Sequence, residues 1–180
     1  MTDTANADLA ALIRTIPDFP KPGIQFRDIT TLLLNAEGLA ATIDRLATMH
    51  DGPFDLVAGI EARGFIFGAA VAQRLGTGLL LIRKNGKLPG RTVGVDYALE
   101  YGEDRIEMHA DAVVPGCRVL LVDDLIATGG TALAAIRLLR KAGAMVGGAG
   151  FVIDLPDLGG VAKIEAEGVP VGALVAFDGD

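Results

Sequence analysis

Five runs of strand length, at residues 56–60, 79–83, 118–122, 150–155 and 171–177, are nearly continuous in apolar side chains. A strand wetted on one face alternates apolar with polar residues; a run without alternation is covered on both faces, as in a parallel sheet between helices. Helical periodicity occupies 39–49, 65–75, 131–142 and 158–167, and Gly143 stands where the third of these helices would be stopped and capped. Strand and helix in alternation predict an α/β fold, an open and mainly parallel sheet flanked by helices. The chain has 180 residues and neither an internal repeat nor a low-complexity linker, so one domain over 1–180 is expected.

Two segments break the alternation. DFPKPGIQFRDIT, residues 18–30, has Pro17, Pro20, Pro22 and Gly23 in or beside it and reads as an extended, aromatic-bearing arm after an N-terminal helix, the two together filling 1–35. Residues 87–108 are rich in glycine and charge, with weak alternation in VDYALEY and DRIEMH that predicts a hairpin. A long irregular insertion in a compact domain is usually a functional lid or a disordered segment, and both readings stay open here. Met108, Met145 and the leucines of 133–139 follow core spacing and read as packing residues.

The formal net charge of −7 argues against a nucleic-acid surface, because phosphate backbones are held by clustered cations. Apolar residues make up 51% of the chain, but uncharged stretches such as 142–153 are shorter than the roughly 18 residues of a membrane span. The acidic start, MTDTANADLAALIR, lacks the basic and apolar regions of a secretory signal, so a cytoplasmic location is expected. Cys117 is the only cysteine, which excludes an internal disulfide and a cysteine-cluster zinc site, and His50 and His109 read as ordinary surface or packed residues.

LLVDDLIATGGT, residues 120–131, places Asp123 and Asp124 between an apolar strand ending near Val122 and a loop of small residues that opens a helix. Backbone amides of Thr128, Gly129, Gly130 and Thr131 can converge on one anion, with the positive end of the helix dipole behind them. The loop fits neither GxxxxGK[ST] nor GxGxxG, which removes support for Walker-type and dinucleotide sites. Carboxylates beside a phosphate cradle accept hydrogen bonds from sugar hydroxyls, so a ligand with both a phosphate and a diol suits the pattern. A capped helix following a strand with two solvated acids is the plain alternative.

EARG, residues 61–64, lies at another strand end, where Arg63 could approach a phosphate or pair with a surface acid. RKNGKLPGR, residues 83–91, groups Arg83, Lys84, Lys87 and Arg91 after a third strand. By itself it reads as a solvated turn; beside two anion-suited strand ends it reads as a polyanion site.

Together these segments resemble the type I phosphoribosyltransferases. VLLVDDLIATGGT is similar to the binding motif for 5-phosphoribosyl 1-diphosphate, while DFPKPGIQFRDIT, EARGFIFG, IRKNGKLPG and YALEYG resemble the adenine-specific branch, so the likeness spans nearly the whole chain. The resemblance implies that Ala127, Thr128, Gly129, Gly130 and Thr131 hold the 5′-phosphate and that Asp123 and Asp124 hold the ribose hydroxyls. It implies that Arg63, Arg83, Lys84 and Lys87 surround the diphosphate, with Mg²⁺ bound through the substrate rather than by protein ligands. Adenine would lie against Phe26, its edge read by backbone around Gln25 and Arg27, with Leu155 completing the pocket. Gln25 stands where an aliphatic residue is expected, which affects packing and leaves backbone readout intact.

Glu100 matches the glutamate that handles the purine's proton; without the resemblance it reads as an exposed strand acid. The implied reaction joins adenine N9 to C1′ of phosphoribosyl diphosphate, giving AMP and diphosphate in purine salvage, and the implied assembly is a homodimer. A transferase for another purine, or a non-catalytic sensor of phosphoribosyl diphosphate, are the rival readings.

Overall fold

The structure is a computed structural model that describes residues 6–99 and 102–179. Its main sheet has seven strands in the order β5-β6-β4-β3-β7-β8-β9, where β3 is Leu56–Ile60, β4 Gly78–Lys84, β5 Thr92–Leu99, β6 Gly102–His109, β7 Arg118–Ile126, β8 Met145–Asp154 and β9 Val171–Ala176. The five strands from β4 to β9 in that order pair in parallel, and the β5–β6 hairpin adds antiparallel pairs beside β4. All five apolar runs are strands of this sheet, and helices lie on both of its faces.

On one face lie α5 (Gly130–Lys141) and α6 (Gly160–Ala166), packing Ile136, Leu139 and Ile164 against Ile60, Ile82, Leu121 and Phe151. On the other lie α1 (Ala7–Ala10), α3 (Ala36–Ala47) and α4 (Gly64–Leu75), where Leu9, Leu46, Phe67 and Val71 pack with Val57, Leu120, Val122 and Val152. Removing Phe67 or Phe151, both fully buried, would cost about 3 to 5 kcal/mol through lost burial and the cavity left behind.

Several boundaries differ from expectation. β7 does not stop at Val122 but continues to Ile126, because the long β8 pairs with it as far as Ile126↔Asp154. β8 itself starts at Met145, five residues before the apolar run, since glycines at 147, 148 and 150 hide the strand from an apolar count while His50, Met49 and Arg118 pack against them. Met145 is exposed at this start and is not a core residue; Met108 is buried as expected. The N-terminal arm forms a two-stranded antiparallel ribbon, β1 (Arg14–Pro17) with β2 (Gln25–Asp28), followed by a short helix α2 (Thr30–Leu34).

Candidate functional site

From β3 the chain crosses over α4 to β4 on one side, while β7 pairs on the other side of β3. Strand order therefore reverses between β3 and β7, and in open parallel sheets the crevice beyond the strand ends at such a point is where ligands bind. A cavity of about 590 Å³ opens there, lined by Glu61 and Arg63 after β3, Arg83 and Lys84 of β4, Asp123 and Asp124 of β7, and Ala127 through Thr131. Ten of the residues singled out in the sequence, from three separate segments, thus share one cleft.

The loop after β7 leads straight into α5. Gly129 has φ +79°, and a Cβ there would sit 3.0 Å from the Cα and carbonyl oxygen of Gly160, so the turn requires glycine on both conformational and steric grounds. No side chain caps α5, which leaves its first-turn amides to an external acceptor. Lys163 Nζ donates to the Thr128 carbonyl at 2.9 Å and fastens the loop to α6. Tyr97 reaches this loop from β5: Thr131 Oγ1 lies 3.4 Å from its hydroxyl, which also donates to Asp104 Oδ2 at 3.2 Å. Burial raises the Tyr97 pKa, so the phenol stays protonated and can donate. Tyr97 opens the YALEYG segment, but nothing in the sequence pointed to its contact with this loop.

Asp123 and Asp124 lie within β7, not in the loop, which fixes their backbone by sheet pairing. The Asp124 amide donates to Asp123 Oδ1 at 2.9 Å. Burial raises the pKa of both carboxyls, and the charge of Asp124 raises Asp123 further; Arg63 opposes the rise in both. Arg63 Nε lies 2.9 Å from Asp124 Oδ2, whose side chain is 6% exposed, but that buried oxygen has no aligned hydrogen bond. It is a charge contact with acceptor capacity left for hydroxyl donors.

The cations are held in distinct ways. Arg83 donates through Nε and Nη2 to Glu61 at 3.2 and 3.0 Å, and through Nη1 to the Lys87 carbonyl at 2.9 Å. Glu61 also accepts from the Lys84 amide at 3.0 Å, and Arg83, that amide and the Lys87 charge together lower its pKa. Lys84 Nζ lies 3.7 Å from Asp104 Oδ2, facing the cleft, whereas Lys87 is outside its lining. The Glu61 and Asp104 pairings were not legible in the sequence, because each joins segments some twenty residues apart.

Phe26 of β2 packs against Phe19 with ring centroids 5.2 Å apart and planes at 80°, and Arg63 Cζ lies 5.7 Å over the Phe26 ring. Arg27 turns away from the cleft: its guanidinium is 4.6 Å over Phe177 and donates to Thr15 Oγ1 and the Asp178 carbonyl. Asp28 anchors the end of the arm, its pKa lowered to about 2 chiefly by the Thr30 amide and then by Arg14 and the Thr30 hydroxyl. Leu155 is buried just beyond β8, while Gln25, on β2, is half-buried. Glu100, the expected proton-handling residue, lies outside the described residues.

Among the described residues no group of three or more His, Cys, Asp or Glu is placed to hold a metal. Two adjacent carboxylates are too few oxygens to cage Mg²⁺, but the spare acceptor capacity of Asp124 Oδ2 suits a diol or the water of an ion carried by a substrate.

The family model described as "Phosphoribosyl transferase domain" matches residues 25–158. The adenine phosphoribosyltransferase of Maricaulis maris is 61% identical over 173 residues, covering 96% of this chain and 99% of that protein. The crystal structure of adenine phosphoribosyltransferase from Rhodothermus marinus superposes with a TM-score of 0.91 at 48% identity, covering 97% of this chain and 99% of the other. That of Saccharomyces cerevisiae, solved with adenine and an imino-altritol bisphosphate, gives 0.86 at 35% identity, covering 95% of this chain and 98% of the other. With this likeness running through the strand-end loops that build the cleft, the chain belongs to the adenine phosphoribosyltransferases of the phosphoribosyl transferase family.

Proposed function

We propose that the chain transfers the 5-phosphoribosyl group of 5-phosphoribosyl 1-diphosphate to N9 of adenine, giving AMP and diphosphate in purine salvage. The observation that carries this reading is the convergence of a phosphate loop, two adjacent carboxylates and cations at one strand-order reversal, with an aromatic arm alongside. The loop 127–131 takes the 5′-phosphate on its amides, with Thr131 and the Tyr97 hydroxyl beside it. Asp123 and Asp124 accept from the ribose hydroxyls and fix C1′ above the crevice. Lys84 and Arg63 face the departing diphosphate from the cleft lining, Lys87 reaches toward it from outside that lining, and Glu61 holds Arg83 in the wall behind them. Adenine stacks on Phe26 and Leu155, its edge read by backbone around Gln25 and Arg27, and Glu100 manages its proton as N9 attacks. When bound, Mg²⁺ offsets the charge that builds on the leaving diphosphate, and Asp123 and Asp124 would meet it only through ribose hydroxyls or water.

Among the described residues no helix is long and apolar enough to cross a membrane. The working form is a cytoplasmic homodimer, supported by apolar side chains that the chain leaves exposed at Ile66, Leu79 and Leu81. The test is nucleotide formation by purified protein with Mg²⁺, phosphoribosyl diphosphate and each purine base in turn. AMP from adenine alone is expected. Product from hypoxanthine or guanine instead would overturn the base pocket, and binding of phosphoribosyl diphosphate without any product would favour a sensor. Omitting Mg²⁺ should abolish turnover.

A further inference from the structure

Arg63 touches both Asp124 in the cleft and Phe26 on the arm beside it. Its Nε is 2.9 Å from Asp124 Oδ2, and its Cζ lies 5.7 Å over the ring of Phe26. Resting on the reading above, adenine stacks on Phe26 and ribose hydroxyls bind Asp124, so a guanidinium in contact with both lies across the place of the nucleoside. We propose that Arg63 is a placeholder: without phosphoribosyl diphosphate it covers Phe26 against adenine, and that substrate's ribose and diphosphate draw it away.

The contacts have the character such a placeholder requires. Asp124 is buried, whereas the arginine side chain is 42% exposed, on the turn between β3 and α4. Asp124 Oδ2 receives only a charge contact from it, without an aligned hydrogen bond, so ribose hydroxyls that donate in line compete well. Once released, the planar guanidinium has a better partner in diphosphate oxygens, which it can grip in a bidentate manner. Phe26 keeps its contact with Phe19 throughout and is left with an open face for the base. The covered state lowers the apparent affinity for free adenine by the fraction of molecules in which the pocket is open.

The test is calorimetric titration of adenine into wild-type protein, Arg63→Ala and Arg63→Lys, with no phosphoribosyl diphosphate present. Lysine keeps a charge but, as a compact ammonium, cannot span Asp124 and the Phe26 face together. Both variants are expected to bind adenine alone about tenfold more tightly than wild type, the gain of an open state that was a tenth populated. Unchanged or weaker binding in Arg63→Ala means that Arg63 is neutral or a stacking platform for the base, and overturns the proposal. If Arg63→Ala does not fold, Arg63→Lys decides in the same way. AMP synthesis by the wild-type preparation separates either outcome from failure of the transferase reading, in which no AMP would form.

Discussion

Asp123 shows how a ligand site works against the fold that carries it. Burial, then the charge of Asp124, raise its pKa above the ordinary 3.8, so the folded chain binds that proton more tightly than the unfolded one. Such a group costs nothing at pH values below 3.8; the cost grows as pH rises through the folded pKa and is complete above it. Asp123→Asn is therefore expected to raise the melting temperature of the ligand-free protein at neutral pH, with the gain fading toward pH 3.8, as scanning calorimetry would follow. The same change should weaken phosphoribosyl diphosphate binding by roughly tenfold or more, because a charged acceptor for the ribose hydroxyls is lost. A variant that is stabilised yet binds normally would refute the diol assignment. For Glu100→Ala the expected result is different: kcat lower by about 10² to 10⁴ with unchanged melting, and an unaltered kcat would take Glu100 out of the proton step. At this scale the phosphate-site residues were readable because their segments lie at or just beyond strand ends. Tyr97, Asp104 and Glu61 were not, since their meaning comes from partners brought near only by the sheet.

The elements explain which boundaries could be read. Apolar runs identified β3, β4, β7, β8 and β9, yet β7 was cut short because Asp123 and Asp124 look like loop residues until β8 is seen pairing beside them. The β1–β2 ribbon was missed for another reason: strands of four residues around three prolines carry no period, and register comes from pairing Arg14↔Asp28 through Pro17↔Gln25. Where the sequence did speak clearly was the turn into α5. Gly129→Ala forces a Cβ to within 3.0 Å of Gly160 backbone at φ +79°. Backbone on both sides leaves no flexible side chain to yield, so the loop must shift. We expect a loss of about 1 to 3 kcal/mol in denaturant unfolding and a raised KM for phosphoribosyl diphosphate with little change in KM for adenine. Equal increases in both would mean that the loop does not serve the phosphate end alone.

At the scale of the molecule, the place of the cleft followed from strand-helix alternation, whereas strand order did not: nothing in the runs themselves tells that β7 returns beside β3. The assembly is likewise a matter of surfaces. β4 is an interior strand, and Leu80 and Ile82 lie buried on the α5 face, but Leu79 and Leu81 point to the other face and are 36% and 39% exposed. There α4 lies chiefly over β3 and β7, with Ile66 itself half open. An interior parallel strand is ordinarily covered on both faces, and apolar area left in water costs about 25 cal/mol per Å² relative to burial. A second copy of the chain, as in the proposed homodimer, is the expected cover. Light scattering should give about twice the 18.6 kDa chain mass. Replacing both Leu79 and Leu81 with glutamate should return the mass to one chain, because two charges per copy would meet across a dry interface. Since their alternate neighbours Leu80 and Ile82 stay packed under α5, the monomeric variant should remain folded by circular dichroism. A native mass of one chain in the unmodified protein, or a dimer that persists in the double variant, would place the partner surface elsewhere or remove it.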